Sequence, residues 1–435
     1  MLESTSTPLN DKRIINAWAL FDWANSSYAL TISVAIFPAY YASVTDEWVQ
    51  VLGQTIPNTA LYAYAISAAY LLLAIVSPVL SSIADYSGKK MWFLRFFTTV
   101  GALSCVSLFF FQGMEQLALG TIAFMLATIG FAGGLVFYNA YLPEIVTEDL
   151  YDRVSAKGFA YGYIGSVLLL ITNLVIIMHP NWFGIKEESS LSVRIAFVMV
   201  GLWWFGFALI PFTRLPQNTH NKPMDQLLKR SLEELRKVWH VVSQERNIKL
   251  FLFAFFCYSA GVQTVLFLAS IFAEKELHFA TSELVGIILI LQIVAIGGAW
   301  LFARISEWKG NKFALVAMLL IWTSICFWAY FVMNKLEFYA LAVGVGMVMG
   351  GIQSLSRSTY SKLIPEGAHD TTSFFSFYDI LEKLAIVLGT FSFGFIEQLT
   401  GGMRNSVLAL GAFFLAGLAI LLFVRIQHAH ADVDV

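Results

Sequence analysis

Long runs of apolar residues, separated by short polar segments, dominate the chain from about residue 16 onward. Each run is close to the ~20 residues that an α-helix needs to cross a bilayer, and none is a short alternating strand of a barrel. The pattern therefore predicts an all-α membrane protein with twelve transmembrane helices. The expected spans are 16 to 43, 58 to 83, 91 to 111, 116 to 140, 158 to 178, 193 to 212, 249 to 273, 283 to 304, 312 to 333, 337 to 361, 372 to 398 and 405 to 425.

One long polar stretch divides these spans into two groups of six. We expect an N-terminal six-helix bundle over residues 1–212, a cytoplasmic linker over 213–248 and a C-terminal six-helix bundle over 249–435. The apolar stripe of a predicted linker helix consists of Leu228, Leu232, Leu235, Trp239 and Val242. This stripe favours an amphipathic helix on the inner leaflet, and a helix packed on the ends of the bundles is the alternative.

The two halves repeat each other at a constant offset. The segment "SSIADYSGKK" after the second span corresponds to "FARISEWKGNK" after the eighth, with Asp85 and Glu307 lying 222 residues apart, as do Gly88 and Gly310. The segments "YLPEI" after span four and "LIPEG" after span ten repeat that offset. Recurrence at one offset indicates an internal duplication, and two facing bundles are typical of transporters with a site between the repeats.

Composition and charge agree with a membrane protein. The chain is 58% hydrophobic and 13% charged, whereas soluble domains are roughly 45–50% apolar and 25% charged. On the predicted side of the N-terminus, 21 Lys and Arg residues stand against 5 on the other side. The positive-inside rule then places both termini in the cytoplasm. The three cysteines share no ligand spacing, and we expect no cofactor, metal or nucleic-acid partner.

The stretch "FYDILEKLAIVLG" places charges inside the eleventh span. At ~1.5 Å per residue, Lys383 lies about 16 Å into the span, and burying it costs at least ~2.5 kcal/mol. Asp379 is four residues earlier on the same helical face, whereas Glu382 points about 100° away. Lys383 is expected either to bind an anionic substrate group or exchange partners during the cycle, or to form a static ion pair with Asp379.

The first span carries a polar stripe of Asp22, Asn25 and Ser26. Asp22 lies about 9 Å past Asn16, shallow enough to reach water from the cytoplasmic side. Its expected role is proton or cation coupling, or a gate pair with a basic residue of the other bundle. A capping or packing role is the alternative.

Four further polar residues are candidates for contact with a solute. Gln353 lies deep in span ten and is suited to hydrogen bonding. Arg357 is nearer the cytoplasmic end, so its side chain either faces the cavity or snorkels to water. Asn139 and Gln263 lie at membrane depth, where they either contact the solute or tie helices together.

The segment "SSIADYSGKK" resembles the signature between the second and third helices of the major facilitator superfamily. Asp85, Gly88, Lys89 and Lys90 match the signature, and Ser81 replaces its usual glycine. The resemblance implies two six-helix bundles that move against each other. It also implies that Asp85 helps to hold the outward-open state through contacts across the bundle interface.

The second half carries a weaker copy of the signature, in which Glu307 and Gly310 match and Ala303 replaces the glycine. The motifs "WALFDWANSSYALTI", "GGIQSLSRSTYSKLIP" and "FFSFYDILEK" resemble the branch of autophagy-related vacuolar amino-acid effluxers and their bacterial relatives. This resemblance implies a monomeric secondary transporter of an amino acid or another small zwitterion or anion, whose carboxylate Lys383 would meet.

Two other classes of protein remain as alternatives. One is a membrane sensor or scaffold that does not transport, and the other is a membrane enzyme. The chain has no H-E-x-x-H, G-x-S-x-G or P-loop motif. The sequence therefore favours a transporter that is not an enzyme.

Overall fold

The computed structural model of the protein describes residues 9–46, 48–51, 53–186, 190–217, 227–277, 279, 281–365, 371–400 and 403–426. The α-helices of these residues are α1 (Lys12–Ser27), α2 (Phe37–Val44), α3 (Asn58–Ser87), α4 (Lys90–Ser107), α5 (Leu117–Asn139), α6 (Leu142–Ile145), α7 (Tyr151–Met178), α8 (Leu191–Arg214), α9 (Leu227–Gln244), α10 (Arg246–Leu277), α11 (Thr281–Lys309), α12 (Asn311–Phe331), α13 (Lys335–Leu363), α14 (Thr371–Thr400) and α15 (Met403–Leu421). Part of the predicted linker, residues 218–226, and the "LIPEG" motif beyond Pro365 lie outside the described residues.

Helical segments occupy all twelve predicted spans. Ten helices in the described part of the chain are long and apolar enough to cross a bilayer. The other two spans are the charged helix α14 and the first span, in which a π-helical segment, Tyr28–Ile36, joins α1 to α2. In that segment the N–H of Phe37 donates to the carbonyl of Ile32, five residues back. The protein is thus an all-α, multi-pass integral membrane protein, as the apolar pattern predicts.

Two hydrophobic cores organise the bundle, one in each half of the chain. The first is built around large buried side chains such as Trp18, Phe124 and Trp204. The second surrounds Trp322 and Phe414, whose rings stack 5.1 Å apart. Each core receives a few side chains from the opposite half, and the halves meet where α3 packs on α14 and where α7 packs on α11 and α13.

Glycines allow very close helix contacts within each half. A Cβ atom at Gly298 of α11 would lie 2.0 Å from the Met347 carbonyl oxygen, and one at Gly350 of α13 would lie 2.2 Å from that of Ala295. Such distances exclude any side chain at these glycines. In a bilayer, where the lipid is as apolar as the helices, close backbone approach is a main source of helix association.

Two elements were not expected from the apolar pattern. An antiparallel hairpin, β1 (Trp48–Val51) and β2 (Gln54–Pro57), lies between α2 and α3. The π-helical segment is the other, because nothing in the apolar spacing of the first span distinguishes it from an ordinary α-helix. Short π-helical insertions are frequent at functional sites.

The linker helix α9 packs on the ends of the bundle helices. It contacts α3, α10 and α14, and Val238 and Val242 are buried in the second core. Trp239 lies with its ring 5.5 Å from that of Phe377, although it is largely exposed, as is Leu232. The helix α9 therefore packs on the bundle, as the second interpretation expects, while contact of the exposed Leu232 and Trp239 with the inner leaflet stays a prediction.

Candidate functional site

A cavity of about 390 Å³ lies between the two halves, and side chains from both line it. All nine residues singled out from the sequence as candidates for substrate binding or coupling are among the lining residues: Asp22, Asn25, Ser26, Asn139, Gln263, Gln353, Arg357, Asp379 and Lys383. Most of the remaining lining is aliphatic or aromatic. A mainly apolar cavity with a few convergent polar groups is the usual form of a small-molecule site.

The charges of α14 are paired in the cavity wall. Lys383 donates to the carboxylate of Asp379 in the i,i+4 ion pair that the spacing predicts, and both residues are buried. The Ser77 hydroxyl of α3, in the opposite half, lies 3.4 Å from the same carboxylate. Glu382 accepts a hydrogen bond of 2.9 Å from the Gln263 amide. Although Glu382 points away from the Asp379 and Lys383 face, it lines the same cavity.

Arg357 of α13 reaches across the interface into a cage formed by the first half. Its guanidinium lies 3.3 Å from the Asp22 carboxylate and donates at 2.9 Å and 2.8 Å to the hydroxyl and carbonyl of Ser155. It also lies over the rings of Trp18, at 4.7 Å, and Phe159, at 4.4 Å. Arg357 is only 3% exposed, so the snorkelling interpretation is wrong.

Asp22 is equally enclosed. It is 5% exposed, and its carboxylate accepts a hydrogen bond of 2.8 Å from the Tyr138 hydroxyl in addition to its contact with Arg357. Tyr138 stacks on Trp18, with ring centroids 4.6 Å apart, and this stack covers the pair. In this conformation Asp22 therefore has little contact with solvent outside the cavity, and its access to water from the cytoplasmic side stays a prediction.

The other polar candidates differ in how fully their side chains are paired. Asn139 accepts from Arg357 at 3.3 Å, and Gln353 accepts from the Tyr163 hydroxyl of the opposite half at 2.8 Å. Asn25 is 1% exposed, and neither its amide nitrogen nor its amide oxygen has a hydrogen-bond partner among the described residues. An unpaired buried polar group costs about 1–3 kcal/mol. Asn25 is therefore a candidate to contact a bound solute.

The loop after α3 joins the two halves at one end of the bundle. Gly88 has φ of +66°, a left-handed conformation that favours glycine, and it turns the chain between α3 and α4. Asp85 accepts from the backbone N–H groups of Thr372, at 3.3 Å, and Ser373, at 2.7 Å, which belong to the first turn of α14. A carboxylate there complements the positive end of the helix dipole.

The lysines of this loop have different environments. Lys90 is buried and pairs with Glu144, and it also donates to the Thr371 hydroxyl of α14 at 2.9 Å. Thr371 in turn donates to Glu144 at 2.8 Å. Lys89 is exposed. The motif thus contributes Asp85 and Lys90 to the interface between the halves.

The repeat of this loop in the second half makes a different contact. Gly310 again has a left-handed backbone, with φ of +86°, but Glu307 is exposed. The carboxylate at this interface is Asp152 of α7, which accepts from Ser306 and, at 2.8 Å, from Lys362. In the first half the interface carboxylate is Asp85, next to the loop after α3, whereas at the second loop it is Asp152, on the facing helix α7.

The charged contacts at this end form a structure that we call the latch. Its members are Asp85, Lys90, Glu144, Asp152 and Lys362. Sequence reasoning missed Asp152 and Lys362 because they lie near helix ends, where charges are usually solvated. It also missed Ser155, and it gave no role to Glu382 because that residue was expected to point away from the face of Asp379 and Lys383.

No group of three or more His, Cys, Asp or Glu side chains is placed to hold a metal ion within the described ranges.

A paired bundle with a central cavity, lined by buried charges from both halves, defines a transporter of the major facilitator class.

Solved structures support this fold. The chain superposes on FucP of E. coli, a major facilitator transporter in an outward conformation, with a TM-score of 0.71, 14% identity and coverage of 95% of this chain and 98% of that one. It superposes on the human organic anion transporter MFSD10 with a TM-score of 0.72, 11% identity and coverage of 95% and 100%.

Sequence comparison identifies the family. The profile of the vacuole effluxer Atg22-like family matches residues 10–434, and the chain belongs to this family. It is 32% identical over 409 residues to the uncharacterized MFS-type transporter YxiO of Bacillus subtilis, covering 94% of each chain. It is 25% identical over 401 residues to autophagy-related protein 22 of Saccharomyces cerevisiae, covering 80% of this chain and 74% of that one.

Proposed function

We propose that this transporter moves a small zwitterion or anion, such as an amino acid, by alternating access. In this proposal the bundles of residues 1–212 and 249–435 rock about the central cavity, joined by the linker 213–248. The observation that carries the proposal is the cavity itself, because its volume of about 390 Å³ and its five charged lining residues suit a small polar solute. Ligand sites typically enclose about 300–1,000 Å³.

The proposed orientation has both termini in the cytoplasm of a bacterial inner membrane, with the protein acting as a monomer. The excess of Lys and Arg on one side of the predicted spans supports this orientation. The latch then faces the cytoplasm and closes that side.

The four charged candidate residues have proposed roles in the cycle. Lys383 leaves Asp379 to meet the carboxylate of the solute, and Asp379 holds the lysine side chain in place between turnovers. Asp22 and Arg357 act as a gate between the halves, and coupling to a proton or cation acts through Asp22. Their mutual contact across the interface supports a gate because it must break when the halves separate.

Transport by purified protein in sealed vesicles tests the proposal. We expect vesicles preloaded with unlabelled leucine to accumulate labelled leucine by exchange, and Lys383→Ala to raise the half-saturation concentration. The matched control is Lys309→Ala, which removes an exposed lysine at the end of α11, away from the cavity.

Different results would contradict different parts of the proposal. An unchanged half-saturation concentration in Lys383→Ala would exclude its role with the carboxylate. If no amino acid crossed the membrane in vesicles containing the wild type, the proposed substrate class would be wrong. If no solute crossed at all, a sensor, a scaffold or an enzyme would be favoured instead.

A further inference from the structure

The charges that line the cavity do not balance within the described part of the wall. Five charged side chains line it, of which three are acidic and two are basic: Asp22, Asp379, Glu382, Arg357 and Lys383. Asp22 contacts Arg357, and Asp379 contacts Lys383. Glu382 is left with a hydrogen bond from Gln263, a neutral amide. The wall therefore carries one more acid than base.

Aromatic rings line the same cavity as Glu382. They belong to Tyr70, Phe255, Tyr258 and Tyr378. Phe255 and Tyr378 stack with centroids 4.0 Å apart, and the Tyr258 and Ser356 hydroxyls are hydrogen bonded at 2.7 Å. A cavity that combines a carboxylate with aromatic rings can bind an ammonium ion, through a charged hydrogen bond and cation–π contacts.

A second, independent observation comes from two other lining residues. Asn25 of α1 is 1% exposed, lines the cavity and has no hydrogen-bond partner for either amide atom in the described part of the chain. The amide oxygen of Gln292, on α11, is also buried, without a described partner and part of the lining. An amide oxygen accepts from an ammonium group, and an amide nitrogen donates to a carboxylate. These groups can complete the hydrogen bonds of a solute that carries both.

We propose that Glu382 binds the ammonium group of the transported solute. The substrates are then primary amines with an apolar side chain, either zwitterionic amino acids or the corresponding amines, and simple carboxylate anions are excluded. An anion would enter a cavity that already has an excess acid, whereas an ammonium group neutralises it. This inference rests on the proposed transport function and narrows its substrate class from zwitterions or anions to amines.

Three related probes separate the contributions of the two charged groups of an amino acid. They are L-leucine, 3-methylbutylamine, which lacks the carboxylate, and 4-methylpentanoate, which lacks the amine. Calorimetric titration of the purified wild type should show leucine binding at least about 30-fold more tightly than 4-methylpentanoate. Truncating one partner of a buried charge pair typically has at least that effect. The amine should also bind, although more weakly than leucine because it lacks the carboxylate that Lys383 meets.

Variants of Glu382 test whether this side chain is responsible. Glu382→Gln should weaken leucine and 3-methylbutylamine by at least about 30-fold, and Glu382→Asp, which keeps the charge, should restore part of the affinity. The matched control is Glu276→Gln. Glu276 lies on α10, pairs with Arg404 and is not among the residues that line the cavity. This variant should bind leucine like the wild type.

The outcomes that overturn the inference are distinct from those that overturn the transport proposal. If 4-methylpentanoate binds as tightly as leucine, the ammonium site is wrong while a transported anion remains consistent with the proposed function. If Glu382→Gln binds leucine normally but vesicles containing it no longer accumulate leucine when a pH gradient is imposed, Glu382 carries a proton instead. If the wild type binds none of the three probes, both the amino-acid substrate and the ammonium site are wrong.

Discussion

Removing Arg357 should destabilise the protein more than removing both members of its ion pair. Arg357→Met deletes the guanidinium that contacts the Asp22 carboxylate at 3.3 Å and Ser155 at 2.9 Å and 2.8 Å, while keeping an apolar side chain over Trp18. The stranded Asp22 is 5% exposed and keeps only the hydrogen bond from Tyr138 among its described contacts. Breaking a buried pair in this way costs about 3–5 kcal/mol.

The double variant Asp22→Asn, Arg357→Met removes the stranded charge. Because a buried pair replaced on both sides is often nearly neutral, we expect the double variant to be more stable than Arg357→Met alone. The coupling energy between the two sites should be about 1.5–3 kcal/mol, in the upper part of the range for residues in contact.

Unfolding by SDS in micelles measures these free energies. Tryptophan fluorescence is a suitable signal because the ring centroid of Trp18 lies 4.7 Å from the guanidinium carbon of Arg357. Arg304→Met is the control, since Arg304 is an exposed arginine of α11 and its loss should change stability by at most about 0.5 kcal/mol. If the two single effects add to within about 0.5 kcal/mol, Asp22 and Arg357 are energetically independent and the reasoning is refuted.

Three further predictions concern the packing and the latch. Gly158→Ala should lower the thermal midpoint, because its Cβ atom would lie 2.8 Å from the Asp22 carboxylate and 2.9 Å from the Arg357 guanidinium. Such overpacking costs about 1–3 kcal/mol. The control Gly134→Ala, whose Cβ atom would have its nearest contact at 3.8 Å, should be nearly neutral. Gly88→Ala and Gly310→Ala should each cost about 1–2 kcal/mol in unfolding measurements, since both positions have left-handed backbones. Asp85→Asn should speed hydrogen exchange in the first turn of α14, because a charged cap worth about 1 kcal/mol is lost.

Specific results would contradict each of them. Equal midpoints for Gly158→Ala and Gly134→Ala would mean that the ion pair yields to the extra methyl group without cost. Wild-type stability in both left-handed variants would show that these loops relax to another backbone conformation. Unchanged exchange in Asp85→Asn would mean that the amide cap replaces the carboxylate fully.

Local features were the ones that the sequence predicted well. The twelve spans follow from apolar run length, and the pairing of Asp379 with Lys383 follows from a spacing of four residues on one helix. Both depend on interactions within a few turns of chain. The left-handed turns at Gly88 and Gly310 belong to the repeated motif, and their recurrence 222 residues apart agrees with the predicted duplication.

Contacts between distant segments were harder to predict. Arg357 and Asp22 are separated by 335 residues, and the hydrogen bond from Arg357 to Ser155 spans 202. A helical wheel shows which face a residue occupies but not which helix covers that face. Glu382 illustrates the limit, because its rotation of about 100° from Lys383 around the helix turns it toward α10, and it still lines the cavity.

The two ends of the bundle interface differ in chemistry, and this difference has a consequence for temperature dependence. At the latch end the halves are joined by charged contacts such as Lys362 with Asp152, which also accepts from Ser306 of α11. About 27 Å further along α11 from Ser306, Ile288 and Leu289 pack against the first core. Opening the latch hydrates polar groups, which lowers the heat capacity, and opening the other end hydrates apolar surface, which raises it. In an alternating-access cycle, warming therefore shifts the balance between the two openings, and the curvature of an Eyring plot of transport reports which opening limits the rate.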